Sequence, residues 1–181
     1  MENTQRIPSI SPAVATGNVK EMLGAVKEKL GMVPNTFQVM ANSEVVLEGY
    51  LGLMGTLDKG SLPFETRNQI SIAVSEINKC AYCLSAFTAI GKGAGVSDQA
   101  LDMCRVAGSE DPKVDAALKF TRAVMQARGA VTDEDVEKVR SAGYTNAEIQ
   151  EIVANVALYS FINYINLVAH TEIDFPLVTP H

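Results

Sequence analysis

The chain has 181 residues, 47% of them apolar and 20% charged, enough to build one sizeable core or a protomer that buries apolar surface against copies of itself. That composition argues against extended disorder, and one domain over residues 1–181 is expected. A net charge of −6 with no run of five Lys or Arg excludes the basic footprint that a phosphate backbone requires, so nucleic acid is not an expected partner.

Residues 1–16 lack a basic start followed by an apolar block of secretory length, so export is not expected and the cytoplasm is the expected location. From there on, apolar residues recur at spacings of three and four and no segment alternates with period two, which predicts an all-α protein. Val19, Met22, Leu23, Val26 and Leu30 line one face of a first helix that Gly31 stops, and Met32-Val33-Pro34-Asn35 reads as a loop. Residues 44–58 form the next helix, with Ser43 placed to cap it and Gly60 beyond its end. Leu62-Pro63 opens a third, running from about Phe64 towards Asn78 and leading into Cys80-Ala81-Tyr82-Cys83, after which Leu84, Phe87, Ile90 and Ala94 continue a helical stripe to Gly95. A break near Asn78-Lys79 would put the cysteines at a fresh helix N-terminus, where the dipole and unpaired amides favour a thiolate; an unbroken helix would forgo most of that help.

Ser97 caps a short helix to Ala107, and Asp111-Pro112 opens one reaching about Arg128. Thr132 with Asp135 makes an imperfect capping box and Thr145 with Glu148 a proper one, each starting a helix. The last helix carries the most apolar stretch, Ile149 to Ala169, which Gln150, Glu151, Asn155, Asn163 and Asn166 interrupt. Those polar groups are costly in lipid, so a core or subunit-interface helix is expected and no membrane. It ends near Thr171, and Asp174-Phe175-Pro176-Leu177-Val178 should be an extended tail. A faint echo between 69–78 and 149–158 would suit pseudo-twofold halves.

The three cysteines do not form the dispersed, even framework of a disulfide-stapled secreted domain; in a reducing compartment a close pair is more often catalytic or metal-binding. Helical residues three apart have β-carbons about 5–6 Å from each other, and a disulfide needs α-carbons about 4.4–6.8 Å apart. Cys80 and Cys83 could therefore close and open a disulfide with little backbone motion, the property redox cycling needs. Two competing readings stay open: a zinc half-site, whose other ligands would have to come from Cys104, His170 and a terminal His181 expected to be free to move, and two cysteines packed in a core. Cys104 itself lies on an apolar face and reads as a small core residue.

The stretch from Arg67 through Cys80-Ala81-Tyr82-Cys83 to Phe87 resembles the core motif of the alkylhydroperoxidase D-like (carboxymuconolactone decarboxylase) family. Val33-Pro34-Asn35, Ala142-Gly143-Tyr144, Asn163, Asn166 and Asp174-Phe175-Pro176 resemble its peroxidase-related branch. The resemblance implies a compact multi-helix alkylhydroperoxidase D-like protomer that assembles into homo-oligomers, trimers or hexamers. It implies reduction of a small hydroperoxide by the dithiol; no cofactor is expected, and the shortage of further ligands leaves no metal expected either. Cys83 would attack the peroxide, Cys80 would resolve the product as a disulfide, and a lipoyl or thioredoxin-like dithiol would restore the thiols.

Two positions depart from the family pattern. The family's proton relay uses a glutamate twelve residues before the first cysteine and a histidine four after the second; here these are Asn68 and Phe87, and the residue between the cysteines that is sometimes histidine is Tyr82. Phenylalanine cannot accept a proton, so another base is required. Glu76 stands one turn before Cys80 on the same face if the helix is continuous, though a salt-bridged carboxylate is its plainer role; Glu65 and His170 are further candidates, the latter alternatively a helix-end cation. The missing relay motivates a second functional reading, a catalytically silent oligomeric redox sensor or binding protein. A third, decarboxylation of a lactone acid, is disfavoured because that branch does not rely on a paired thiol and few polar residues are in view to handle a carboxylate.

Overall fold

The computed structural model describes residues 4–181. These form nine helices and no strand: α1 (Gly17–Leu30), α2 (Asn35–Met40), α3 (Glu44–Leu57), α4 (Phe64–Ile77), α5 (Ala81–Gly93), α6 (Asp98–Arg105), α7 (Pro112–Gln126), α8 (Asp133–Ser141) and α9 (Asn146–Ala169). The all-α expectation holds. The starts follow from capping chemistry: Ser97 Oγ accepts from Ala100 N–H (3.2 Å) and Asp111 from Lys113 N–H (2.8 Å), while Thr132/Asp135 and Thr145/Glu148 both close full reciprocal capping boxes. Gly31 ends α1 with φ 77°, a left-handed conformation open to glycine without penalty.

Two local expectations are corrected. Residues 35–40 are helical, not the tail of a loop, because Pro34 supplies the N-cap backbone geometry (φ −55°) and Thr36, Phe37, Val39 and Met40 are buried by the fold. Ser43 stands at the N-cap of α3 but its hydroxyl makes no capping bond.

Helices α4 and α9 form the centre. α4 packs against α5, α6, α7 and α9, and residues 70–76 are buried without interruption. Its polar members are satisfied within the helix, Ser71 Oγ donating to Asn68 O (2.6 Å) and Ser75 Oγ to Ser71 O (2.7 Å). α9 packs against α2, α3, α4, α5, α7 and α8. It is long and apolar enough to cross a membrane, yet half of its most apolar window is buried inside the protein. Its outward face leaves Val153, Ala157, Tyr164 and Val168 exposed.

The tail after α9 has no regular structure and runs back along the start of α5. Asp174 accepts from Tyr82 OH (2.8 Å) and Asn35 N–H (2.8 Å), Val178 N–H donates to Ser85 Oγ (2.9 Å), and Arg105 Nη2 donates to Thr179 O (2.8 Å). His181, expected to move freely, is tied by its backbone: its N–H donates to Glu76 Oε1 (2.7 Å) and its carbonyl accepts from Lys79 Nζ (2.7 Å).

Candidate active site

The chain breaks between α4 and α5, the alternative that places both cysteines at a helix start. α4 closes with Cys80 N–H donating to Ser75 O (2.9 Å) and Lys79 N–H to Glu76 O (3.1 Å). Lys79 lies in the left-handed region at φ 56°, where a side chain with a β-carbon is disfavoured by about 1–2 kcal/mol. Cys80 then occupies the N-cap of α5, and its Sγ accepts from Cys83 N–H at 3.3 Å.

The bond from the Cys83 thiol is the largest cause holding the Cys80 thiol below its ordinary value of 9.0, and the backbone N–H groups of Cys83 and Tyr82 assist it against burial. Burial, then Cys80 itself, pushes Cys83 well above 9.0, with the Asn166 and Asn163 amides pulling the other way. The Cys80 thiol is thus the one favoured as thiolate and the Cys83 thiol the one held protonated. Both residues are only 1% exposed, but neither is sealed in hydrocarbon. Cys83 borders a cavity of about 760 Å3 walled by Phe37, Tyr50, Phe64, Phe87 and Tyr159. Cys80 borders a second, of about 680 Å3, together with Lys79, His170 and Glu172.

The other candidates separate. Asn68 is buried beside the first cavity, its Nδ2 donating to Phe87 O (3.1 Å), while its Oδ1 has no partner among the described residues. α5 comes so close there that a Cβ on Gly91 would lie 2.7 Å from Asn68 Oδ1. Phe87 packs edge-on to Tyr159 at 5.2 Å and fills the relay histidine's place with hydrocarbon. Tyr82 is not poised as a relay: its hydroxyl accepts from Thr36 N–H (3.1 Å) and donates to Asp174, and burial pushes its ionisation far up. His170 caps α9 in the left-handed conformation and borders the Cys80 cavity. Glu65 is exposed on the first turn of α4 and lines neither cavity. Cys104 is fully buried, its thiol donating to Ala100 O (3.0 Å), and burial pushes its pKa up to about 12.

Glu76 takes the salt-bridged role, the plainer of its two readings. The break at Lys79 removes the continuous helix on which its approach to Cys80 depended. Its carboxylate is 5% exposed and already taken, by Arg105 Nε (2.8 Å) and the His181 N–H. Burial alone would raise its pKa, but the Arg105 bond, the His181 N–H and the charges of Arg105 and Lys79 together hold it below 4.5.

Sequence reasoning missed the asparagines of α9 as part of the site. Asn166 Nδ2 donates to Cys83 Sγ (3.3 Å), and Asn163 links Ser75 Oγ (3.3 Å) to Asn78 Nδ2 (3.0 Å), joining the two central helices under the dithiol. Their signal was visible as two amides three apart in an apolar helix, the spacing of the cysteines themselves.

Residues 45–127, from α3 to the end of α7 with the dithiol between, match the model of the carboxymuconolactone decarboxylase family. None of the curated proteins matches the chain in sequence. Among solved structures, the chain is similar to an alkylhydroperoxidase AhpD core protein, an uncharacterised peroxidase-related protein from Ralstonia eutropha JMP134, at 24% identity and TM-score 0.85, over 94% of this chain and 92% of that one. A peroxidase-related protein from Silicibacter sp. TM1040 is 22% identical with TM-score 0.79, over 93% and 91% of the two chains. The debrominase Bmp8, in a cysteine-to-alanine form with 2,3,4-tribromopyrrole, is 20% identical with TM-score 0.80, over 94% and 92%. The fold is thus the alkylhydroperoxidase D-like one. Residues 45–127 are thus similar to the carboxymuconolactone decarboxylase family, and the solved structures share the chain's fold.

Proposed function

We propose that the protein is a thiol-dependent hydroperoxide reductase in which Cys80 serves as the base for Cys83. The observation that carries this reading is Cys80 Sγ at the N-cap of α5, accepting from the Cys83 N–H, with Cys83 bordering the larger cavity. Proton transfer from Cys83 to the Cys80 thiolate replaces the relay that Asn68 and Phe87 cannot supply. The Cys83 thiolate attacks the terminal peroxide oxygen, breaking the O–O bond to give a Cys83 sulfenic acid and an alkoxide that takes the proton back from Cys80. Cys80 then displaces hydroxide from the sulfenic sulfur, forming the Cys80–Cys83 disulfide, and the hydroxide is protonated to water. The sum is one hydroperoxide and two thiols giving alcohol, water and disulfide. A lipoyl or thioredoxin-like dithiol reverses the oxidation by exchange. The apolar stripe of Val153, Ala157, Tyr164 and Val168 suits self-association into a homo-oligomer.

The test is consumption of cumene hydroperoxide with dihydrolipoamide as reductant. The wild-type chain is expected to turn over and the Cys83→Ala chain to be inert; no turnover and no thiol loss by the wild type would refute the proposal.

The aromatic wall of the larger cavity favours one second reading, reductive dehalogenation of a flat apolar ring. There two thiols become a disulfide while a carbon–halogen bond is replaced by carbon–hydrogen and halide leaves. Halide release from a brominated pyrrole, without hydroperoxide turnover, would select it.

A further inference from the structure

The cavity beside Cys83 is apolar over most of its wall but carries three charged side chains, Lys29, Asp58 and Arg67. Asp58 accepts from Lys29 Nζ (2.7 Å) and from Arg67 Nη1, so two cations share one carboxylate and one positive charge is left over. Their side chains are 60%, 32% and 11% exposed for Lys29, Asp58 and Arg67, which ranks them from the mouth inward. Arg67 Nε is buried and has no hydrogen-bond partner among the described residues. A buried guanidinium N–H without an acceptor is unfavourable unless something supplies one. Tyr50 is buried and lines the same cavity as Asp58 and Cys83.

We propose that this cavity binds an amphipathic carboxylic acid, with its apolar body among Phe37, Met54, Phe64 and Ile90 and its carboxylate on Arg67. The volume of about 760 Å3 lies within the range of small-molecule sites. A carboxylate would supply the acceptor that Arg67 Nε lacks and neutralise the leftover charge, in the planar geometry a guanidinium prefers. The chain order gives little sign of such a group, since Lys29, Asp58 and Arg67 lie on α1, after α3 and on α4, and only the fold joins them. As a statement about substrate, a hydroperoxide carrying a carboxylate, the inference rests on the peroxidase reading; as a statement about binding it does not.

Calorimetry with decanoate and decanol as probes separates the two. Decanoate is expected to bind the reduced wild-type protein about tenfold more tightly than decanol, the lower end for a hydrogen bond between charged partners. Arg67→Gln should bring the ratio to about one. Lys29→Met, a change at an exposed side chain, should reduce the preference, and Asp58→Asn should widen it, in each case with decanol binding unchanged. Equal affinities in the wild type, no binding of either probe, or a preference that survives both cation substitutions would overturn the proposal. Oxidation by uncharged cumene hydroperoxide proceeds whether or not decanoate is preferred, so failure here and failure of the peroxidase reading are told apart.

Discussion

Replacing Glu76 with glutamine separates a structural carboxylate from a catalytic one. In the native protein each oxygen is used: Oε2 accepts from Arg105 Nε (2.8 Å), and Oε1 accepts from His181 N–H (2.7 Å) with Lys79 Nζ 3.5 Å away. Glutamine keeps one acceptor and turns an NH2 towards a donor, so one charge-assisted bond is lost and a donor–donor contact is created. Removing one partner of a fully buried pair costs about 3–5 kcal/mol. Arg105 retains the Thr179 carbonyl (2.8 Å) and has Asp102 at 3.9 Å, which lowers the expected loss to about 2–3 kcal/mol. For a chain of this length that corresponds to a fall of roughly 5–10 °C in Tm. Urea unfolding gives the free energy directly. Because the folded pKa is depressed, the contribution is fully present above the ordinary value of 4.5 and is lost as pH falls through the folded value, so wild type and variant should converge in acid. The rate of thiol oxidation by hydroperoxide should stay within about twofold, since Glu76 touches neither sulfur. A variant of native stability with hydroperoxide reactivity lowered tenfold or more would refute this reasoning and return Glu76 to the role of base.

Three further outcomes are expected. In the Cys83→Ala protein, Cys80 loses its strongest stabilising partner, so its thiolate absorbance should appear at higher pH than the first thiolate of the wild type, read in an ultraviolet pH titration. Asn166→Leu removes the amide donor that favours the Cys83 thiolate and should slow hydroperoxide attack in stopped-flow thiol oxidation. Tyr82→Phe breaks the link from Thr36 to Asp174 and should destabilise the protein by about 1–2 kcal/mol while accelerating amide exchange at 174–181, with hydroperoxide turnover retained.

Features coded by near neighbours were legible in the sequence. The capping residues Ser97, Asp111, Thr132 and Thr145 fix four helix starts through bonds spanning two or three residues. The dithiol announced itself by its spacing. Helix α2 did not, because six residues are too few for a period and its stability comes from burying Phe37 and Met40. The break at Lys79 was left open because a lysine stands in the left-handed position where glycine would have signalled it. What remained hidden depends on distant partners. Glu76 reads as a possible base until Arg105, 29 residues on, and His181, 105 residues on, are folded against it. Asn166 reads as a flaw in an apolar helix until α9 is laid over Cys83, 83 residues away in sequence.

The central claim is that Cys80 and Cys83 act as one redox unit. Its most direct measurement is peptide-mapped mass spectrometry of the reduced protein after one equivalent of organic hydroperoxide, with the alcohol quantified. The account predicts loss of two hydrogens per chain, located as a Cys80–Cys83 disulfide, one alcohol per disulfide, and Cys104 still a thiol. An unchanged mass, or oxygen accumulating on Cys104 while Cys80 and Cys83 stay reduced, would contradict it.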